Sequence, residues 1–359
     1  MTPSKLHYHI RAGAQSLKLG RDDINAGTPQ WLQENLGITF AGDSLLPLQT
    51  PPTIGAPLQF YQTILPGLVQ FATTPWVADQ LIGSDGVGNW MDEEVIQGLI
   101  EPVGLAQPYT DQGNIPLASF NPGWETRRIE RFEQGYEVGP LEQERMSAAG
   151  IDPRNEKRKA AQRSLDYTRD VIAFYGFNSG LGRTFGILND PALPAYVAVA
   201  AGTGGGTTWA SKTSQEVIAD IIQIIEGIRI RSGMTVDPTT AAITMGVPPE
   251  ALGSLGKVSE FGYGVRQWLS ETYPNVRVVG VPQFSAANGG ANVIIAWADS
   301  EGEDVGSTDN GRTWTQMVPE RLRVIGSEQR VKTFVEDLSN ATAGVMLKRP
   351  YLVYAATGV

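Results

Sequence analysis

Residues 152–176 carry an apolar stripe along only half their length, and this asymmetry constrains the fold more than any other feature of the chain. Asp152-Pro153 reads as an N-cap followed by the first helical residue, and Gly176 suits the C-terminal end of the same helix. Between them Ala161, Leu165, Thr168, Ile172 and Tyr175 are spaced four, three, four and three apart, which places them on one helix face. Extended backward, the same stripe meets Arg154, Lys157 and Arg158. The C-terminal half therefore has a face to bury, whereas the first two turns are polar all round and are expected to lie outside the subunit's core. Two readings of those turns stand side by side. They touch a neighbouring chain, or they are a solvated helix end supported by pairs such as Asp166–Arg169. A shorter charged helix, started by Pro140 and ended by Gly150, precedes them. Residues 140–170 hold seven basic and six acidic side chains, a mixed face rather than a nucleic-acid patch.

Composition removes several classes of function. The chain has 359 residues, 41% of them hydrophobic and 18% charged, which fits a globular protein of two to three domains. A net charge of −10 argues against gripping nucleic acid with a broad basic surface, though not against enclosing it. There is no cysteine, so disulfides, thiolate catalysis and Cys-ligated metals are excluded. The two histidines, His7 and His9, both sit near the N-terminus, and any His-dependent centre would have to be built there. The start, MTPSKLHYHI, lacks a secretory pattern, and with the chain beginning at Met1 no removal of an N-terminal scaffolding segment is expected. No apolar run reaches ~18 residues, so no membrane span is expected.

Residues 1 to about 70 are punctuated by proline and glycine and lack periodicity, apart from a short helix expected over 29–35. Trp31, Phe40, Phe60, Tyr61 and Phe71 argue for an arm lying on another surface, against the alternative of a solvated tail. Residues 90–138 read as a long hairpin, with limbs Val95–Tyr109 and Ile115–Val138 and a turn at Asp111-Gln112-Gly113-Asn114. The return limb carries Arg127, Arg128 and Arg131 among Glu125, Glu130 and Glu133, a density that suits a solvated or intersubunit strand. Residues 193–304 look like a separate α/β unit. Thr213 and Glu216 form a capping box ahead of the apolar VIADIIQIIEGIRI. Strands are expected near 241–245, 276–281 and 292–297, and a helix near 259–272. Strands near 321–325 and 351–355, with an Asn310-Gly311 turn, close the chain.

Motifs with chemical meaning are few. Gly202-Thr203-Gly204-Gly205-Gly206 lacks both the Walker and the dinucleotide spacing, and a surface loop is the better reading. Ser307-Thr308-Asp309-Asn310-Gly311-Arg312-Thr313-Trp314 matches the SxDxGxxW Asp-box of sialidases and related propellers, but a single copy fits a structural turn. Glu93-Glu94 and the group Glu301, Glu303 and Asp304 lie in polar loops without the apolar walls that perturb catalytic carboxylates. No catalytic, cofactor-binding or metal-binding residue is nominated, and the chain is expected not to be an enzyme.

Four segments carry a family resemblance. They are the charged helix of 140–176, the Gly176-Phe177-Asn178-Ser179-Gly180 turn, Phe185-Gly186-Ile187-Leu188-Asn189-Asp190-Pro191, and Gly344…Lys348-Arg349-Pro350…Gly358-Val359. Together they resemble tailed-phage major capsid proteins of the Hong Kong 97-type fold. The resemblance implies an α+β chain with an N-terminal arm (1–70), a peripheral domain (71–192 and 305–359) and an axial α/β domain (193–304). The peripheral domain would contain an extended hairpin loop (90–138) and a spine helix (140–176). It also implies a major capsid protein that self-assembles through hexamers and pentamers into an icosahedral head around double-stranded DNA. Portal, scaffold or decoration proteins would be its partners, without a membrane, and assembly would occur in the host bacterial cytoplasm. Gly186, Leu188, Asn189 and Pro191 are the family-like structural positions. Arg127, Arg128, Arg131, Arg154, Lys157 and Arg158 are the candidate assembly contacts. The founding fold member joins a loop lysine covalently to a neighbour's asparagine. This chain has no lysine between Lys18 and Lys157, so no such cross-link is expected. An encapsulin-like nanocompartment is the alternative, disfavoured by the long arm, and an Asp-box carbohydrate-binding or glycosidase protein is a remote one.

Overall fold

The computed structural model describes residues 76–109, 111, 115–148, 150–177, 182–259, 262–301 and 309–359. By its contacts the chain divides into two compact units, Met1–Phe71 and Ala72–Val359, and every described residue belongs to the second. The arm with its 29–35 helix and both histidines therefore lies outside the described residues. So do the hairpin tip at 112–114, Asn178–Gly180, Glu303-Asp304 and Ser307-Thr308.

The centre of the unit is a five-stranded mixed sheet in the order β4-β12-β7-β5-β6. Its strands are β4 (Val197–Ala198), β5 (Ile243–Val247), β6 (Val276–Gly280), β7 (Val293–Ala298) and β12 (Val353–Thr357). Alternation along β7 sends Val293, Ile295 and Trp297 to one face and Ile294, Ala296 and Ala298 to the other. Both faces are buried, which explains why this strand is an unbroken apolar run. On one face lies α4 (Ser214–Arg231), through Val217, Ile221, Ile224, Ile225 and Ile228. Each such side chain contributes roughly 1.5–3 kcal/mol of burial. The expected capping box starts α4. The Thr213 hydroxyl accepts from Glu216 N at 3.4 Å, and the Glu216 carboxylate accepts from Thr213 N at 2.8 Å. β12 corrects an expectation: placed by sequence with the peripheral sheet, it lies between β4 and β7, because both of its faces are apolar.

The opposite face receives Ala173 and Phe174 at the end of α3 (Pro153–Tyr175), together with Ala78 and Leu81 of α1 (Ala78–Leu81). Further back, Ala161 and Leu165 of α3 pack on a three-stranded antiparallel sheet. Its order is β3-β10-β9, from β3 (Glu130–Val138), β9 (Glu320–Gln329) and β10 (Phe334–Thr342). A small ladder pairs β8 (Trp314–Gln316) with β11 (Val345–Leu347). The caps of α3 are as expected: the Asp152 side chain accepts from Arg154 N at 3.1 Å, and Gly176 follows the last turn with φ of 70°.

The expected stripe of α3 is corrected at two positions. Its buried face includes Arg169 in place of Thr168, and Tyr175 is half exposed. Arg169 enters because Asp79 of α1 receives its guanidinium through two hydrogen bonds, at 3.1 and 2.9 Å. The first two turns lie outside the core clusters and rest against their own sheet. Pro153 is buried, and the Arg154 guanidinium lies 4.2 Å from the Phe334 ring centre. Lys157 Nζ donates to Glu137 O at 2.8 Å and to Glu142 of α2 (Pro140–Ala148) at 2.7 Å, while Arg158 pairs with Glu336 at 3.5 Å. Long cationic side chains thus seat a polar helix face on its own sheet by laying their stems along it. Reversing all three charges is accordingly expected to lower the unfolding free energy of the unassembled chain by about 1–3 kcal/mol in urea titration, since exposed pairs contribute less than about 1 kcal/mol each. An unchanged midpoint would contradict this seating.

The hairpin pairs β1 (Glu94–Val103) with β2 (Ser119–Arg128), from Glu94↔Arg128 to Val103↔Ser119. Its return limb, expected to run to Val138, ends at Arg128. The chain then passes through Ile129, 1% exposed in a small core with Met317, Ala341 and Met346, and continues as β3 in the other sheet. One buried residue turns the strand out of the hairpin.

Candidate assembly surfaces

The hairpin leaves the folded unit with an apolar face uncovered. Ile96 and Ile100 of β1 lie on the same face as Phe120 and Trp124 of β2, given the pairs Ile96↔Thr126, Gly98↔Trp124 and Pro102↔Phe120. These four side chains are 58–74% exposed. Gly98 makes the arrangement possible, because a Cβ there would stand 3.1 Å from the Trp124 ring that lies across it. An isolated two-stranded ribbon is marginal in water, and a contiguous exposed apolar face of this kind is a candidate contact surface.

The root of the hairpin is charged and dry. Arg127 is 1% exposed, and its guanidinium donates to Asp190 Oδ2 at 3.0 Å, to Thr126 O at 3.0 Å and to Glu125. It also lies 4.9 Å from the Phe185 ring centre. Arg183 reaches the same Glu125 carboxylate at 2.7 Å. Partial burial pushes the Glu125 carboxyl up, but hydrogen bonds and charge from Arg127 and Arg183 outweigh it and hold the group below the usual carboxylate range. Two residues beyond the pivot, Arg131 donates to Trp90 O and Asp92 O, both at 2.6 Å, with its guanidinium 5.4 Å from the Trp90 ring centre.

The family-like positions explain themselves at the end of α3. The last four carbonyls of a helix need partners, and the C-cap supplies one and the returning segment three. Gly176 N donates to Ile172 O, Ile187 N to Ala173 O and Leu188 N to Phe174 O, at 2.8, 2.8 and 3.0 Å. Asn189 Nδ2 donates to Tyr175 O at 2.7 Å, while its Oδ1 accepts from Gly186 N, also at 2.7 Å. Gly186 is required by this close return, because a Cβ there would lie 2.5 Å from the Phe174 carbonyl. Leu188 is half-buried against the core and Pro191 is exposed at the exit. Asp190, which the sequence reading did not nominate, joins three elements. It accepts from Ala192 N at 2.9 Å, from Arg127 at 3.0 Å and from Leu347 N at 3.2 Å.

The six candidate contact cations therefore divide. Arg127 faces the interior, Arg131 donates to the carbonyls of Trp90 and Asp92, and Arg154, Lys157 and Arg158 contact Phe334, Glu142 and Glu336 of their own chain. Arg128 points outward, with 58% of its side chain exposed and Glu130 at 3.5 Å. The uncovered hairpin apolars were not nominated, although their alternation and the Gly98–Trp124 opposition are present in the sequence.

The remaining motifs are structural. Thr203 N and Oγ1 donate to the Glu216 carboxylate at 2.7 and 2.6 Å, so an acid occupies the glycine-rich loop where a phosphate would need donors. Hydrogen bonds from Thr203 and Thr213 lower that carboxyl to about 2. In the Asp-box segment Asp309 accepts from Gly311 N at 3.2 Å, and Trp314 is buried edge-on against Trp297. Among the described residues no group of His, Cys, Asp or Glu is placed to hold a metal ion, and no helix is long and apolar enough to cross a membrane.

A family model described as Pa193 gp26 major capsid protein matches residues 47–358. A search among curated proteins finds no significant match. Among solved structures, the capsid of Myoviridae phage XM1 is similar over 85% of this chain and 99% of that one, at 15% identity and a TM-score of 0.68. The capsid of a native GTA particle is similar over 82% and 94%, at 10% identity and a TM-score of 0.57. A structure from Mycobacterium phage Ogopogo covers 84% and 97%, at 11% identity and a TM-score of 0.53. At these identities the likeness establishes the fold, which is the Hong Kong 97-type fold of tailed-phage capsids.

Proposed function

The chain belongs to the Pa193 gp26 major capsid protein family, and from the phage-head shell role of that family we propose how its copies join. The nanocompartment and Asp-box alternatives are not favoured by this membership. Identical subunits form rings of six and five through head-to-tail contacts, and these close into an icosahedral shell around double-stranded DNA. The 193–304 region meets its copies around each ring axis, and the 1–70 arm lies on neighbouring subunits. Portal, scaffold or decoration proteins complete the head in the host cytoplasm.

The observation that carries this reading is the uncovered apolar face of the β1–β2 hairpin. Covering Ile96, Ile100, Phe120 and Trp124 on an adjacent subunit removes apolar surface worth on the order of 5 kcal/mol per hairpin before association costs. Repetition over every subunit makes a modest contact decisive for the shell. Arg128, at the root end of β2 with its side chain outward, is the cation best placed to accompany that contact. Electron microscopy of purified protein tests the reading: closed shells support it, and monomers or small oligomers under all assembly conditions contradict it.

The hairpin offers no lysine for a covalent bond to its neighbour. Denaturing electrophoresis of mature particles is expected to give one band near 38.7 kDa. A covalent ladder would contradict non-covalent closure.

A further inference from the structure

We infer that Arg127 and Arg131 are positioning residues that fix the angle at which the hairpin leaves the subunit, and so set the curvature of the shell within each subunit before it meets another. This rests on the reading that the hairpin contacts a neighbour.

The geometry is a clamp about a single pivot. Ile129, between the two arginines, is the residue at which the strand leaves β1 and joins β10. Its N–H donates to Glu93 O at 2.8 Å, the last rung on the hairpin side. On one side of the pivot, Arg127 ties β2 to Asp190, which also holds Leu347 N and follows the Asn189 cap of α3. On the other side, Arg131 ties β3 to the carbonyls of Trp90 and Asp92, the approach to β1. Thr184 Oγ1 adds a bond to Arg128 O at 3.0 Å. Both limbs of the hairpin are thereby referred to the end of α3, to β11 and to β3.

The Arg127–Asp190 pair has side chains 1% and 0% exposed, a dry pair joined by one Nη2–Oδ2 hydrogen bond of 3.0 Å rather than a surface contact. A buried ion pair of this kind contributes more to conformational uniqueness than to net stability in some systems, and an angle is what uniqueness means at a pivot. Arg127 and Arg131 thus act one step before the contact, by aiming the surface that makes it.

The test uses full-length Asp190→Asn and Arg131→Gln chains beside wild type and Trp124→Asp. Hydrogen exchange of the unassembled chain and the distribution of shell diameters by electron microscopy are the readouts. In the clamp variants, amides of 94–97 and 125–128 are expected to exchange faster, on the order of tenfold, with the five-stranded sheet unchanged. Their shells are expected to spread over several diameters where wild type gives one. A change in bulk stability alone does not move that spread. If Asp190→Asn fails to fold, Arg131→Gln carries the test from the other side of the pivot. A single wild-type diameter in a folded clamp variant overturns the inference, as does loss of shells with the hairpin root still protected. If Trp124→Asp assembles normally, the neighbour-contact reading itself has failed, whatever the clamp variants do.

Discussion

Replacing Ile100 and Trp124 together with aspartate is expected to abolish shell formation while leaving the subunit folded. Both side chains stand in solvent in the single chain, at 74% and 71% exposure, and neither contributes to a core cluster. Their loss should change the unfolding free energy of the unassembled chain by no more than about 0.5 kcal/mol, as for other surface substitutions. In the shell the cost is of a different order. Two unpaired carboxylates buried in an apolar contact cost several kcal/mol each, and the same defect recurs at every subunit interface. Sedimentation should find only slow species where wild type gives particles, with unchanged circular dichroism. Normal particles from this variant would remove the hairpin from the assembly contacts.

Gly186→Ala is expected to have the largest effect on the fold itself. The added Cβ would lie 2.5 Å from both the carbonyl carbon and oxygen of Phe174 and 2.6 Å from Gly176 N. These are backbone atoms at the end of a helix, and they cannot swing aside as a flexible side chain does. Relief requires the 186–189 segment to lift from α3, which breaks the bonds from Ile187 N, Leu188 N and Asn189 Nδ2 to the last carbonyls. Overpacking alone costs about 1–3 kcal/mol, and each carbonyl left buried and unpaired adds about 1–3 kcal/mol. The sum is a large fraction of a domain's stability, so the variant should accumulate as insoluble protein. Soluble Gly186→Ala chain with a wild-type urea midpoint would show that this return is less tight than the geometry states. Asn189→Ala removes two bonds without a clash and should lower the midpoint while leaving the chain soluble.

What the sequence made legible, and what it hid, divides by range. The caps of α3 and the capping box of α4 depend on residues within four positions of one another, and all of them were readable. So was the hairpin, whose limbs are neighbours in sequence. β10 was not. Glu336, Ser339, Asn340 and Thr342 make it look like a polar surface segment, yet it is the middle strand of its sheet. Its polar groups find distant partners, such as Asn340 Nδ2 donating to Leu165 O at 2.9 Å across 175 positions. The switch from β2 to β3 was hidden because Ile129 keeps the alternation of the strand on either side of it. Arg127 looked like a surface charge because its partner, Asp190, is 63 positions away. The cations of the first α3 turns likewise find partners within their own chain, such as Glu336 for Arg158.

A reconstruction of assembled particles, at a detail that traces the β1–β2 hairpin, tests the central claim most directly. The account predicts a closed icosahedral shell in which the Ile96, Ile100, Phe120 and Trp124 face of every hairpin is covered by an adjacent copy of this chain. A shell in which that face stands in solvent, or folds back onto its own subunit, would contradict it.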